Sequence, residues 1–196
     1  MSRIRKIKKN LIRFKKIVTK KGPTRGCGLL EFYLSARRAA LAKNIIKEHH
    51  SCGNILDIGC GKYPIFLLTL KFFKRFAIEQ TSFNDDALRR RITLHSDFTE
   101  SETSVFKASD FDVITMLAVL EHIEKSKIKE LFDTIYNLLK KEGMIIITIP
   151  SPFSEGILKL LAFCNLISKE EIHDHKSVLS NTEIKTLLKT AGFARS

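Results

Sequence analysis

The feature that most constrains the fold of this chain is a short apolar run at residues 54–58. The run carries an acid at Asp57 and leads into two glycines spaced one residue apart, Gly59 and Gly61. This pattern predicts a buried parallel strand that ends in a tight loop and the N-terminus of a helix. Glycine adopts backbone angles that a side chain resists, and it lets a bound molecule approach the main chain closely. The segment therefore predicts a ligand-binding loop at the carboxyl end of a strand.

The loop lacks the features of a phosphate cradle. A dinucleotide fingerprint has a third glycine three residues after the second, and this chain has Pro64 there. No Gly-Lys-Ser/Thr sequence follows, which excludes a nucleoside-triphosphate loop. The carboxylate of Asp57 would repel a pyrophosphate but suits an ammonium group. The loop therefore favours a zwitterionic nucleoside ligand over a phosphorylated one.

Strand and helix signals alternate along most of the chain. Strands are predicted at residues 54–58, 75–79, 92–95, 111–117 and 143–149. Helices are predicted at residues 29–49, 63–74, 84–91, 125–140, 154–168 and 180–191. The first of these helices is predicted from apolar residues that fall on one side of it, Leu30, Leu34, Leu41 and Ile45. The alternation predicts an α/β fold with a doubly wound, mostly parallel sheet, whose ligands bind beyond the carboxyl ends of the strands.

The net charge of +13 is concentrated at the N-terminus. Residues 1–25 hold 11 Lys/Arg and no acid, whereas the remaining 171 residues are close to neutral. Apolar residues recur in this arm at three- and four-residue steps, which predicts a cationic amphipathic helix. Residues 1–22 could lie on an anionic membrane surface, grip RNA phosphates, or form a solvated extension. The expected organisation is this arm, residues 1–25, followed by one domain at residues 26–196.

Composition limits the class and location of the protein. The four cysteines have no CxxC spacing, so we expect reduced thiols and no metal site. No apolar run reaches the 18 residues of a membrane span, and the N-terminus lacks the apolar core of a signal peptide. We therefore expect a cytoplasmic protein, peripheral at the inner membrane surface if the arm binds lipid.

Further candidate residues follow the other predicted strands. Glu79 lies 22 residues after Asp57 and can accept hydrogen bonds from both hydroxyls of a ribose, although a surface glutamate is the simpler interpretation. Asp97 can accept a hydrogen bond from an exocyclic amine, and Phe98 offers a face to a purine. Alternatively, this segment only caps a turn. Leu117 would leave the sheet beside the ligand or belong to the ordinary core.

These segments, in this order, resemble the class I S-adenosylmethionine-dependent methyltransferases, particularly the small-molecule type 11 group related to the ubiquinone and menaquinone methyltransferases. The resemblance covers roughly residues 30–193. It rests on Leu-Asp-Ile-Gly-Cys-Gly at 56–61, Ile-Glu at 78–79, Ser-Asp-Phe at 96–98, Phe-Asp-Val-Ile followed by Leu-Glu-His within 111–122, Leu-Leu-Lys-Lys-Glu-Gly at 138–143, and Ala-Gly-Phe at 191–193.

The resemblance implies S-adenosyl-L-methionine as the cofactor, with a small-molecule or a lipid- or glycan-linked methyl acceptor. It implies that the glycine loop passes the methionine portion, that the acid of the second strand holds the ribose, and that the segment after the third strand holds the adenine. The implied cofactor-binding residues are Asp57, Gly59, Cys60, Gly61, Glu79, Asp97, Phe98 and Leu117.

A general base is required only if the acceptor must lose a proton. Glu121 and His122 follow the fourth strand and are candidates, since a neutral imidazole accepts protons near physiological pH. The simpler interpretation is that this pair caps the next helix or holds the loop. His175 lies in a second polar cluster, residues 172–176, and would face the substrate or belong to a solvated turn.

The chain departs from the family pattern after Ala-Gly-Phe, where family members continue into two more strands. We expect a sheet that lacks these last two strands, with an open edge beside the fifth strand and a tendency to self-associate. Two alternatives to an enzyme of small molecules stay open. One is a non-catalytic or decayed domain that keeps the fold, and the other is an RNA methyltransferase recruited by the basic arm, although nucleic acid is not the expected partner.

Overall fold

The structure is a computed structural model that describes residues 29–49, 53–61, 64–72, 74–79, 91–95, 106–149 and 179–193. The basic arm, the predicted helix at 154–168 and nearly all of the predicted helix at 84–91 lie outside these ranges. The division between arm and domain at residue 25 is therefore still a prediction.

The described residues form one sheet of five parallel strands. The strands are β1 (Asn54–Ile58), β2 (Lys74–Ile78), β3 (Thr93–His95), β4 (Phe111–Leu117) and β5 (Leu139–Thr148). Their order in the sheet is β3-β2-β1-β4-β5. From β1, the chain adds β2 and β3 on one side of the sheet, and it then returns to add β4 and β5 on the other side of β1. The strand order therefore reverses between β1 and β4, which are hydrogen-bonded neighbours. Open parallel sheets bind their ligands at this switch point. The predicted fold class is confirmed.

Helices cover both faces of the sheet. They are α1 (Leu29–His49), α2 (Ile65–Thr69), α3 (Lys125–Leu138) and α4 (Asn181–Thr190), and a short 3-10 turn spans Leu120–His122. Residues of α1 and α2 share one hydrophobic cluster with the sheet, and residues of α3 and α4 share the other. Within the described ranges, no helix combines the length and the apolar character that crossing a bilayer would require.

Strand β1 is apolar throughout its centre because it contributes to both clusters. Its side chains alternate between the two faces. Ile55 packs with α1 and α2, whereas Leu56 and Ile58 pack with α3 and α4. Asp57 is two residues after Ile55, so its side chain lies on the same face of the sheet, the one covered by α1 and α2. The strand therefore places a carboxyl group inside an otherwise apolar layer, one residue before it ends.

The face of α1 that packs on the sheet differs from the apolar stripe that predicts the helix. Ala42 and Ile46 are buried against the sheet, with Ala39 beside them. Leu41 and Ile45 are 58% and 42% exposed. Alanine lets a helix backbone approach a sheet closely, so the packed face is the one with small residues. Two large apolar side chains are left on the outer surface.

Two predicted helix ends are wrong, and so is the predicted start of the fifth strand, because β5 begins at Leu139 and not at residue 143. Helix α2 ends at Thr69 and not at residue 74, because Leu70 is extended with φ −93° and ψ 153°. Helix α3 ends at Leu138 because the next residue pairs with Phe111 of β4. The regular β4–β5 register resumes only where Val113 pairs with Met144, so residues 140–143 form an irregular segment. The lysines at 140–141 continue the helical sequence pattern, but the pairing of Leu139 with Phe111 ends the helix before them.

Candidate functional site

Two acids meet where adjacent strands end. Asp57 is the fourth of the five residues of β1, and Glu79 directly follows β2. Both side chains are buried, with 3% and 8% exposure. The register pairs Asp57 with Ala77 on one side and with Thr115 on the other. The two acids therefore lie at the carboxyl ends of adjacent strands, at the same end of the sheet.

Asp57 is held by a side chain of the neighbouring strand. Its Oδ1 accepts a hydrogen bond of 2.6 Å from the hydroxyl of Thr115. Burial raises the pKa of Asp57 to about 7, the Thr115 hydrogen bond opposes this rise, and the nearby charge of Glu79 adds to it. A buried carboxylate is costly in the absence of an opposite charge. An ammonium group of a ligand would supply that charge.

Glu79 organises the glycine loop. Its Oε2 accepts a hydrogen bond of 2.8 Å from the backbone N–H of Gly61. Its own N–H donates to the carbonyl of His95 at 2.9 Å, which ties it to the end of β3. A carboxylate has about four acceptor positions, so contact with Gly61 is compatible with binding ribose hydroxyls. The sequence predicts that Glu79 binds ribose hydroxyls, but it gives no sign that Glu79 also holds the glycine loop.

The glycine loop, residues 59–61, depends on backbone angles that favour glycine. Gly59 and Gly61 have φ values of +73° and +72°. The N–H of Gly59 donates to the carbonyl of Ile78 at 2.8 Å, so the loop is fastened to the end of β2. A Cβ atom on Gly59 would lie only 2.3 Å from Cγ2 of Val119. The loop thus presents bare backbone at the junction of three strands.

The side chain of Cys60 points away from a catalytic role. Its half-buried side chain packs against the hydrophobic cluster on the α1 face. Burial, and then the charges of Asp57 and Glu79, raise the pKa of the Cys60 thiol well above its usual range. Because the thiolate is the reactive form of cysteine, this side chain is not suited to act as a nucleophile.

The chain leaves β4 in a strained turn beside the glycine loop. Leu117 ends the strand and packs against the cluster on the α1 face. Ala118 has a φ of +60°, which costs a residue with a Cβ atom about 1–2 kcal/mol. Its N–H donates to the carbonyl of Thr148 at 3.0 Å and to the Thr148 hydroxyl at 3.1 Å. The end of β5 therefore fixes the direction in which the loop after β4 departs.

The acid and the histidine considered for proton transfer lie in the turn that follows. Glu121 is buried with 7% exposure, whereas His122 is half-buried. The N–H of His122 donates to the carbonyl of Val119 at 3.0 Å, which closes the turn. Burial of Glu121 fits a residue that holds the loop, and the greater exposure of His122 fits one that a substrate can reach.

Three predicted site residues, Asp97, Phe98 and His175, lie outside the described ranges. The structure adds three residues that the sequence analysis does not single out: Thr115, Val119 and Thr148. For Thr115 a signal was available, since it is a polar residue in a largely apolar strand, two residues before that strand ends. For the other two, a single sequence contains no signal.

The arrangement suits a ligand with an ammonium group and vicinal hydroxyls. One carboxyl group, that of Asp57, has its pKa raised by burial and by the nearby charge of Glu79, and the other, that of Glu79, accepts a hydrogen bond from the backbone of the glycine loop. S-adenosylmethionine has an amino group on its methionine portion and two ribose hydroxyls. The residues that are described therefore fit this cofactor.

The fold has many counterparts among solved structures. An S-adenosylmethionine-dependent methyltransferase from Archaeoglobus fulgidus aligns with a TM-score of 0.59 and 18% identity over 82% of this chain and 69% of the other. The trans-methyltransferase CalH, bound to S-adenosylhomocysteine, aligns with a TM-score of 0.56 and 20% identity, over 91% and 54% of the two chains. Phosphoethanolamine N-methyltransferase 2 of Haemonchus contortus, bound to S-adenosylmethionine, aligns with a TM-score of 0.54 and 19% identity, over 79% and 36%.

Sequence comparison gives the family. No curated protein matches the chain significantly. A family model described as a methyltransferase domain matches residues 27–195, nearly all of the part that follows the basic arm. This match agrees with the parallel five-stranded sheet and with the acids and glycines at its carboxyl edge. The chain belongs to the methyltransferase-domain family and is a class I S-adenosylmethionine-dependent methyltransferase.

Proposed function

We propose that this enzyme transfers the methyl group of S-adenosylmethionine to a small molecule or to a lipid- or glycan-linked acceptor. The observation that carries the cofactor half of the proposal is the pair of buried acids, Asp57 and Glu79, joined through the glycine loop. In this proposal Asp57 binds the amino group, Glu79 binds the ribose, and the backbone of residues 59–61 lines the methionine portion. Asp97 and Phe98 are proposed for the adenine on the resemblance alone.

The protein contributes mainly by positioning the reactants. The cofactor would supply a methyl group on a sulfonium, and the neutral thioether released when the methyl is transferred, S-adenosylhomocysteine, is an excellent leaving group. Holding an acceptor in line with it can lower the barrier by roughly 7–11 kcal/mol through orientation alone. Residues that fix the ends of β1, β2 and β4 therefore matter as much as any proton acceptor.

We propose His122 as the general base if the acceptor is a hydroxyl or a phenol. It is half-buried and is five residues beyond the end of β4, on the loop next to the glycine loop. Glu121 is proposed to hold that loop, since its side chain is buried. His175 is proposed to face the acceptor on its sequence position alone. An amine acceptor that is already neutral would need none of these residues.

An acceptor from the membrane is favoured by the outer face of α1. Leu41 and Ile45 are one helical turn apart and exposed, with Arg37 exposed one turn before them. The chain that precedes α1 carries 11 Lys/Arg and no acid in residues 1–25. Each such charge near an anionic bilayer contributes about 1 kcal/mol. We propose that the arm and this face of α1 contact an anionic membrane surface together.

Vesicle flotation tests the membrane contact. The full chain is expected to float with vesicles of phosphatidylcholine and phosphatidylglycerol, and to be released by high salt because the attraction is screened. A Leu41→Gln/Ile45→Gln variant should bind more weakly. Tyr136→Gln, which changes an exposed residue on α3, is the matched control and should bind normally. No flotation at low salt would exclude the proposed contact.

A methyl-transfer assay tests the acceptor class. The enzyme is incubated with S-adenosylmethionine labelled in its methyl group and with separate pools of membrane lipid and lipid-linked glycan, soluble small molecules, and RNA. Label is expected in one of the first two pools and to be lost with Asp57→Asn. Label in RNA alone would favour an RNA methyltransferase recruited by the arm. Cofactor binding with no label in any pool would favour a non-catalytic domain.

A further inference from the structure

Val119 connects two loops of the site, the glycine loop at residues 59–61 and the loop after β4 at residues 118–122, here called the exit loop. A Cβ atom added to Gly59 would lie 2.3 Å from Cγ2 of Val119 and 3.2 Å from Cγ1. Non-bonded carbon atoms prefer separations of about 3.5–4.0 Å. The isopropyl group of Val119 therefore occupies the space that a side chain at position 59 would need.

Each loop is anchored to a neighbouring strand. The N–H of Gly59 donates to the carbonyl of Ile78 at 2.8 Å, at the end of β2. The N–H of Ala118 donates to both oxygens of Thr148, at 3.0 Å and 3.1 Å, at the end of β5. Because both backbones are held in this way, a steric conflict between position 59 and Val119 cannot be relieved by moving either loop freely.

Val119 also starts the turn that carries the residues proposed for the acceptor side. Its carbonyl accepts the hydrogen bond from the N–H of His122 at 3.0 Å. The turn is short and contains the buried side chain of Glu121. A displacement of Val119 would thus move this turn relative to the glycine loop.

We propose that Val119 is a positioning residue that couples the two loops. By packing against the bare backbone of Gly59, it sets the distance between the glycine loop, where the cofactor is proposed to bind, and residues 121 and 122. The proposal rests on the proposed cofactor site. It assigns a specific reason to the glycine at position 59, which is that Val119 fills the space beside it.

The alternative is that Gly59 is needed only because the cofactor itself requires the space. The two explanations differ for a double variant. If Val119 is the obstacle, shortening it makes room for an alanine at position 59. If the cofactor is the obstacle, shortening Val119 makes no difference to the alanine.

A double-mutant cycle tests the proposal with Gly59→Ala, Val119→Ala and the variant that carries both. Two quantities are measured for each protein: the melting temperature without ligand, and the affinity for S-adenosylhomocysteine by calorimetry well below that temperature. Gly59→Ala is expected to melt lower and to bind at least tenfold more weakly. The double variant is expected to recover most of the melting temperature and to bind within threefold of Val119→Ala alone. Recovery is incomplete because an alanine at φ +73° stays strained.

Two controls separate this contact from general effects. Gly192 has a φ of +103° and a Cβ atom there would lie 3.0 Å from Cζ of Tyr136, outside the site. Gly192→Ala should lower the melting temperature, and adding Val119→Ala should not restore it. Val119→Ile keeps both γ carbons and should retain the affinity for S-adenosylhomocysteine.

Three results would overturn the proposal or its basis. A double variant that melts and binds as poorly as Gly59→Ala would show that Val119 is not the obstacle. Recovery of the melting temperature, with affinity the same in all variants, would show a structural contact without a positioning role. Absence of binding by the unaltered chain would contradict the cofactor site instead, and the melting temperatures would still test the contact between Val119 and position 59.

Discussion

At the scale of single residues, Asp57 has an unusual environment for a carboxyl group. It lies in an apolar layer and accepts a hydrogen bond from Thr115, with the charge of Glu79 nearby. Burial raises its pKa from the model-peptide value of 3.8 to about 7. Desolvation favours the neutral form of a carboxyl group, so Asp57 titrates in the range where enzymes are usually assayed. This has consequences for both stability and binding.

The stability of the ligand-free protein is expected to contain a contribution from Asp57 that falls as pH rises. The folded-state pKa of about 7 lies above the unfolded value of 3.8, so the native state holds the extra proton between these pH values. The contribution is complete below about pH 4 and is lost as pH rises through 7. About three pKa units correspond to about 4 kcal/mol.

Urea unfolding measures this contribution as a difference between two proteins. Between pH 5 and pH 8, the free energy of unfolding should decrease more steeply for the unaltered chain than for Asp57→Asn. The comparison cancels the groups that titrate in both proteins. Equal slopes for the two would contradict the raised pKa.

Cofactor affinity is expected to change with pH in the opposite sense to stability. The ammonium group of the cofactor pairs with an ionised carboxylate, so binding below pH 7 must release the proton of Asp57. The affinity for S-adenosylhomocysteine should therefore rise from pH 6 to pH 8 and then level off. Calorimetry in two buffers of different ionisation enthalpy should detect proton release at pH 6. A pH-independent affinity with no proton release would exclude this pairing.

At the scale of elements, α4 begins with a reciprocal cap. The hydroxyl of Ser180 accepts from the N–H of Glu183 at 3.2 Å, and the carboxylate of Glu183 accepts from the N–H of Ser180 at 2.9 Å. Glu183 also pairs with Lys125 of α3 at 2.6 Å. The Lys125 hydrogen bond, followed by those from Ser180, lowers the pKa of Glu183 to about 2. The cap therefore stays ionised at neutral pH and links two helices on one face of the sheet.

Removing the cap should destabilise the protein measurably. Ser180→Ala leaves the backbone N–H of Glu183 without its side-chain acceptor, which typically costs about 1 kcal/mol. Thr186→Ala removes another exposed hydroxyl of the same helix, one that bonds to the carbonyl of Thr182, and it should be neutral because alanine favours helices. Denaturant unfolding compares the two. Equal free energies of unfolding for Ser180→Ala and the unaltered chain would argue against the cap.

Elements with strong local signals are predicted best from the sequence. The bounds predicted for β1, β4 and α1 agree with the structure, because apolar runs and helical spacing are properties of neighbouring residues. The end of α3 is missed because it depends on Leu139 pairing with Phe111, which is a tertiary interaction. The face of α1 that packs on the sheet is predicted wrongly because the helix is apolar on more than one side, and the small residues determine which side packs.

The site shows the same division. The proximity of Asp57 and Glu79 is predictable because parallel strands have their carboxyl ends on the same side of the sheet. The contact between Gly59 and Val119 joins residues 60 positions apart, and nothing in a single sequence pairs them. The bond between Ala118 and Thr148 also depends on the register of two strands. Sequence analysis therefore predicts which residues carry charge at the site, and the structure adds which residues hold them in place.

At the scale of the whole molecule, the described sheet has β3 at one edge and β5 at the other. Self-association along the β5 edge is still a prediction, as is the proposed membrane contact. Light scattering coupled to size exclusion is expected to give a mass that rises with concentration, because the β5 edge, beside which the described residues place no further strand, can add a strand from a second copy. A concentration-independent monomer would contradict that expectation.

Asp57 and Glu79 are proposed to bind the cofactor from the ends of adjacent strands. Calorimetric titration with S-adenosylhomocysteine tests it most directly, with Asp57→Asn, Glu79→Gln and, as a control, Glu130→Gln on the exposed surface of α3. The unaltered chain and the control are expected to bind saturably, and each of the other two variants is expected to bind at least tenfold more weakly, a loss of about 1.4 kcal/mol or more. Equal affinity in all four proteins would contradict this proposal.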